Sequence, residues 1–203
     1  MRHHGPVPSA EPDAPSKAEV RAHVRAARSN RPEGERQTAA LSISGHALEL
    51  LPRSGGSIAC YLSLPTEPGT DPLIEAASRL GCRIVAPRIT GRDLLWIEHR
   101  PGDALSPGPM GIREPTGAPV DANELATLDV IFTPGLAVDR GGRRLGQGGG
   151  YYDRVLSAIP RHADGGPLLV IVLFDDEVID AVPTEDHDRR VDAALTPSGL
   201  TYF

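Results

Sequence analysis

The segment RRLGQGGGYYD (143–153) gathers the residue types best suited to handling an anion. Gly146, Gly148, Gly149 and Gly150 stand between an upstream apolar run and an apparent helix opening near Tyr151. Glycines at such a junction let backbone N–H groups approach a phosphate, and a helix N-terminus adds the positive end of its dipole. Arg143 and Arg144 precede them, and guanidinium forks complement phosphate oxygens. The segment completes neither GxxxxGK[ST] nor GxGxxG, because Tyr151 stands where the second pattern, begun at Gly146, needs its last glycine. The residues alone therefore give an anion loop, with a surface turn as the alternative. Asp153 either favours the helix dipole or holds Mg²⁺, which one or two carboxylates bind together with phosphate oxygens. A second carboxylate is available in TEDHDRRVD (184–192), from Asp186, Asp188 or Asp192, although a solvated loop accounts for that run equally well. His187 alone makes no metal site. Far upstream, Lys17, Arg21, Arg25 and Arg28 are spaced to share one helical face, which is either a solvated stripe or an anion-facing surface.

These groups need elements to carry them. Ser16 followed by Glu19 reads as a capping box that opens a helix over 17–29. A second helix is predicted over 32–51, with Pro32 in its first turn and Leu41, Leu48 and Leu51 in helical phase. SIACYLSL (57–64) reads as a strand, DPLIEAASRLG (71–81) as a short helix ending on Gly81, and CRIVAPRI (82–89) as a second strand. That order is a βαβ unit with parallel strands. DLLWIEH (93–99) is a further strand, followed by a Pro/Gly-rich loop. LDVIFTPGLAV (128–138) and PLLVIVLF (167–174) are continuous apolar runs of the kind buried on both faces. The expected fold class is α/β, a three-layer αβα sandwich with a mostly parallel sheet. Residues 1–15, with four prolines, read as a disordered tail, and 16–203 as a single domain.

Composition narrows the function. The chain has 203 residues, a formal net charge of −6 and only eight aromatic residues, which argues against nucleic acid as a partner. Residues 1–36 nevertheless hold seven Lys/Arg against five Asp/Glu, and Lys17 is the only lysine. No run reaches the ~18 apolar residues of a membrane span, and the first residues lack an apolar signal-like stretch, so no membrane partner and a cytoplasmic location are expected. Cys60 and Cys82 lie in apolar surroundings without metal-ligand spacing and read as buried thiols.

RLGQGGGYYDR together with PGLAVDRGG resembles the signature of the 5-formyltetrahydrofolate cyclo-ligase family, also called 5,10-methenyltetrahydrofolate synthetases. The likeness extends over most of 16–197 through Lys17 and Arg21, YLSLPTE, PLIEAA, MGIREP and VPTEDHD. It implies an αβα sandwich, here expected as a monomer, that uses ATP as co-substrate and Mg²⁺ as cofactor. The reaction implied converts 5-formyltetrahydrofolate to 5,10-methenyltetrahydrofolate through phosphorylation of the formyl oxygen, releasing ADP and phosphate. Carried over by position, Lys17 and Arg21 reach the ATP phosphates, leaving Arg25 and Arg28 as surface. Arg144, Leu145, Gly146, Gln147, Gly148, Gly149, Gly150, Tyr151 and Tyr152 form the nucleotide loop, with Arg144 and Tyr151 at the reacting atoms and no covalent nucleophile. Asp153 and Asp188 hold the metal, and Leu62, Glu67, Met110, Tyr151 and Tyr152 border the folate. The chain departs from the family pattern at Gln147, Gly149 and Met110. The main alternative is a nucleotide- or folate-binding paralogue without turnover.

Overall fold

The computed structural model describes residues 15–183 and 189–203; the tail expected over 1–15, all but its last residue, and the candidates Asp186 and Asp188 lie outside them. Helix α1 (Lys17–Asn30) begins as the capping box predicts: the Ser16 hydroxyl accepts the Glu19 N–H, and the Glu19 carboxylate accepts from Ser16. Helix α2 (Glu33–Ala47) stops earlier than expected, because residues 48–50 close a turn ahead of Pro52.

Strand β1 (Ser57–Cys60), helix α3 (Asp71–Arg79) and strand β2 (Arg83–Thr90) form the expected βαβ unit, with Ile58 beside Ile84 in parallel register. Strand β3 (Asp93–Glu98) returns antiparallel to β2, and β4 (Leu105–Pro107) pairs with β5 (Arg113–Pro115) in a small hairpin. The apolar run 128–138 is not one strand. It divides into β6 (Val130–Pro134) and β7 (Ala137–Asp139), and β7 leaves the main sheet to pair with β8 (Arg144–Leu145) and β10 (Val178–Ile179). After helix α4 (Tyr151–Ser157) come β9 (Leu168–Val172), β11 (Ala193–Thr196) and β12 (Gly199–Tyr202), of which the last two were not foreseen.

The main sheet runs β12-β11-β9-β6-β1-β2-β3, with five parallel strands between two antiparallel edge strands. Alternate residues separate its faces. Ile58, Cys60, Ile84, Phe132 and Val170 pack under α2 and α3, whereas Ala59, Val85, Ile131 and Ile171 pack under Leu156 of α4. Each large side chain buried in these layers contributes about 1.5–3 kcal/mol of transfer free energy. Helix α1 packs separately, setting Val20 and Val24 against Leu136, Ala137 and Leu145. The fold is therefore the expected three-layer α/β architecture. Cys60 and Cys82 are buried free thiols, as anticipated.

Chain order fixes where a ligand fits. From β1 the chain moves outward to β2 and β3, then returns to place β6 on the opposite side of β1. The C-terminal ends of β1 and β6 thus flank a topological switch point, the usual binding crevice of open α/β sheets.

Candidate functional site

A cavity of about 590 Å³ opens at that switch point. Tyr61, Leu62, Leu64 and Glu67 reach it from the segment after β1, and Pro134 from the end of β6. Ile89 and Leu94, cross-strand partners on β2 and β3, add apolar surface, as does Ile112. The remaining wall is more polar: Arg25, Arg144, Gly146, Gln147, Gly149 and Gly150, with Tyr151, Tyr152 and Asp153 at the start of α4.

The glycine loop needs its glycines at two points in particular. Gly148 and Gly150 adopt φ of +103° and +67°, values that side-chain-bearing residues rarely occupy. Helix α1 holds this loop from outside. Arg21 Nε donates to the Gly146 carbonyl at 3.0 Å, and Arg25 Nη2 donates to the Gln147 carbonyl at 2.7 Å. Lys17 stands on the same helix, half-buried. Arg25, expected on the surface, is exposed, yet it also braces the loop and lines the cavity.

Arg28 is not a surface residue. It is 2% exposed and donates through Nε and Nη2 to both carboxylate oxygens of Glu177, at 2.6 and 2.8 Å, and to the Gly135 carbonyl at 2.7 Å. Burial works against its charge, but Glu177 outweighs that cost and raises its pKa. Spacing put Arg28 on the stripe, but only tertiary structure supplies the buried carboxylate that captures it.

Glu67 is 7% exposed and well held: its Oε2 accepts the Leu64 N–H at 2.9 Å, and its Oε1 accepts from Gln147 Nε2 at 3.0 Å. Arg28 Nη1 lies 4.0 Å from the same Oε1. Arg144, also buried, donates to the Pro134 carbonyl at 3.1 Å and forms an ion pair with Asp153. Its Nε and the Tyr152 hydroxyl are buried and make no hydrogen bond among the described residues, leaving two unused polar groups at the cavity. Burial, with Cys60 and Glu67 nearby, keeps the Tyr152 phenol well above its ordinary pKa, so it remains a neutral donor. The Tyr152 ring also packs edge-on to Trp96, with centroids 6.2 Å apart, whereas the Tyr151 hydroxyl donates to the Gly91 carbonyl at 3.3 Å.

The structure thus brings Arg144, Gly146, Gln147, Gly149, Gly150, Tyr151, Tyr152, Asp153, Leu62 and Glu67 to one cavity, with Arg21 directly behind the loop. Leu145 instead packs into the small core beneath α1. Met110 lies in the 3-10 turn Pro109–Gly111, two positions before the cavity residue Ile112 in the chain. Asp192 is set apart: its carboxylate accepts the Leu169 N–H at 2.8 Å and ties the start of β9. Among the described residues no group of three His, Cys, Asp or Glu side chains gathers in metal-binding fashion. Sequence reasoning missed Tyr61, Leu64, Pro87, Ile89, Leu94, Ile112 and Pro134 as lining residues. Tyr61 and Leu64 follow β1 and Pro134 ends β6, the strands beside the switch point, which was the signal available for those three.

Comparison with known proteins gives the family and fold of the chain. The model of the 5-formyltetrahydrofolate cyclo-ligase family matches residues 13–197. The 5-formyltetrahydrofolate cyclo-ligase of Mycolicibacterium smegmatis is 35% identical over 189 residues, covering 90% of this chain and 94% of that protein. The Escherichia coli K12 enzyme of the same name is 35% identical over 145 residues, covering 70% and 78%. Among solved structures, the solution structure of the Aquifex aeolicus 5,10-methenyltetrahydrofolate synthetase superposes with a TM-score of 0.73 at 29% identity, covering 92% of both chains.

Proposed function

This chain belongs to the 5-formyltetrahydrofolate cyclo-ligase family, and from that premise we propose that it closes 5-formyltetrahydrofolate to 5,10-methenyltetrahydrofolate at the expense of MgATP. The carrying observation is that a glycine loop backed by arginines and a buried carboxylate on an apolar wall share one cavity. A pterin has an apolar face and a donor-rich edge, which Glu67 and the leucine and isoleucine side chains suit. A triphosphate is anionic and suits the loop, Arg21 and Arg144.

The chemistry requires activation, because a formamide oxygen leaves poorly. The formyl oxygen takes the γ-phosphoryl group as ADP departs. N10 then bonds to the formyl carbon and loses its proton, and the C–O bond breaks to release phosphate. Such transfer depends on positioning and charge stabilisation more than on a protein nucleophile. Lys17, Arg21 and the buried Arg144 supply positive charge around the phosphates, and Tyr152 offers an unused hydroxyl donor. Tyr151 closes the polar wall, while the apolar side excludes water from the activated carbon.

Asp153 fits a Mg²⁺ site. Its side chain is 45% exposed, on the cavity wall beside the glycine loop, and one carboxylate with phosphate oxygens suffices for Mg²⁺. Asp153 would hold the ion, with Asp188 as the second ligand the resemblance implies. When bound, Mg²⁺ neutralises phosphate charge.

The test follows near-ultraviolet absorbance of the methenyl product from purified protein and 5-formyltetrahydrofolate. Product should form only when nucleotide and divalent metal are both present. Product without ATP, or binding of both substrates with no product, would overturn the proposal.

A further inference from the structure

Gln147 joins the two walls of the cavity. Its amide nitrogen donates to Glu67 Oε1 at 3.0 Å, while its amide oxygen and main-chain carbonyl face Arg25 Nη2, at 3.4 and 2.7 Å. A continuous polar line therefore runs from α1 through the glycine loop to the carboxylate on the apolar wall.

The partners of Glu67 are unequal. Leu64 N–H fixes Oε2 through the main chain, and Arg28, locked to Glu177, stands 4.0 Å from Oε1. Both are built into the fold. Gln147 is exposed, lies between glycines on either side and lines the cavity together with Glu67. Leu64 and Arg28 remain to Glu67 without it, so the glutamine is the partner that a ligand can replace.

We infer that Gln147 is a displaceable latch: its amide N–H occupies the position on Glu67 that the donor edge of the pterin takes, so heterocycle entry requires the glycine loop to let go. The inference rests on the proposal that this cavity receives the folate. It makes Gln147 a positioning residue, acting through Glu67 and Arg25. A phosphate that draws Arg25 away removes the partner of the amide oxygen and frees the latch, so nucleotide and heterocycle each favour binding of the other. Linkage makes that effect equal in both directions.

The experiment measures the affinity of 5-formyltetrahydrofolate for the whole protein by calorimetry, without nucleotide and then with the β,γ-imido analogue of ATP. Gln147→Met preserves length and removes the donor. Because the donor is exposed and the net worth of such a hydrogen bond is modest, the variant should bind the folate about three- to tenfold tighter without nucleotide. The gain in folate affinity on adding the analogue should shrink towards unity in the variant. A glutamine that merely braces Glu67 would give unchanged or weaker folate binding in Gln147→Met, and either result overturns the latch. Undiminished coupling in the variant overturns it too. If 5-formyltetrahydrofolate binds neither protein, the folate assignment of the cavity falls together with the latch, whereas failure of the latch alone leaves wild-type binding intact.

Discussion

Among the described residues, Glu67 and Asp153 are the cavity carboxylates, and their surroundings suit different work. Glu67 is nearly enclosed and has a main-chain donor, so it is preorganised to receive hydrogen bonds. Asp153 is half-exposed and held by one guanidinium. Such a carboxylate can exchange its partner for a cation carried in on a phosphate. Asp153→Asn should therefore lower kcat/KM by about 100-fold or more and raise the Mg²⁺ concentration for half-maximal activity. Because Arg144 keeps its bond to the Pro134 carbonyl, the thermal midpoint should move by only a few degrees, as expected for a change near 1 kcal/mol. Steady-state assays across a Mg²⁺ series check this. A loss of rate with an unchanged Mg²⁺ requirement would mean that Asp153 serves only to seat Arg144.

Helix α1 depends on its first turn and its last. The capping box at Ser16 fixes the start, and the Arg28–Glu177 pair anchors the far end, so Lys17, Arg21 and Arg25 are held between two fixed points. Ser16→Ala should cost about 1 kcal/mol. Its functional effect should fall on the KM for ATP rather than for folate, since fraying at the first turn reaches Lys17 before Arg25. Matched KM changes for both substrates would contradict that placement. Much at this scale was legible: a capping box, a Gly-ended α3 and an apolar strand each leave a local pattern. The division of 128–138 into β6 and β7 was not, because both pieces are buried and an unbroken apolar run hides the turn at Gly135 and Leu136. Strands β11 and β12 were hidden for a related reason. They are four residues each, and their order comes from pairing with β9 and with each other. The burial of Arg28 was equally invisible, since Glu177 lies 149 positions away.

Across the whole molecule, Asp139 closes the turn between β7 and β8 and ties the small sheet to one distant segment, accepting N–H bonds from Gly141 and Arg143 and from Val182. Burial disfavours its ionisation, but those donors outweigh burial and hold the carboxyl below its usual 3.8. The unfolded chain then takes up a proton that the folded one refuses. The stabilisation is complete above about pH 4 and is lost as pH falls through the lower folded value. Asp139→Asn should melt below wild type at pH 7 yet lose less on acidification to about pH 3, measured by thermal melts at both pH values. Equal losses would remove Asp139 from the acid response.

The position of α1 has a consequence for the order of synthesis. Its arginines bond to Gly135, Gly146 and Glu177, which lie 107, 125 and 149 residues farther along the chain. At roughly 5–20 residues per second, the helix leaves the ribosome about 7–30 s before the last of these partners exists. A lone 14-residue helix is marginal in water. Helix α1 is thus made before its partners and settles only after them, and a nascent chain should gain nucleotide affinity only after Glu177 has cleared the exit tunnel.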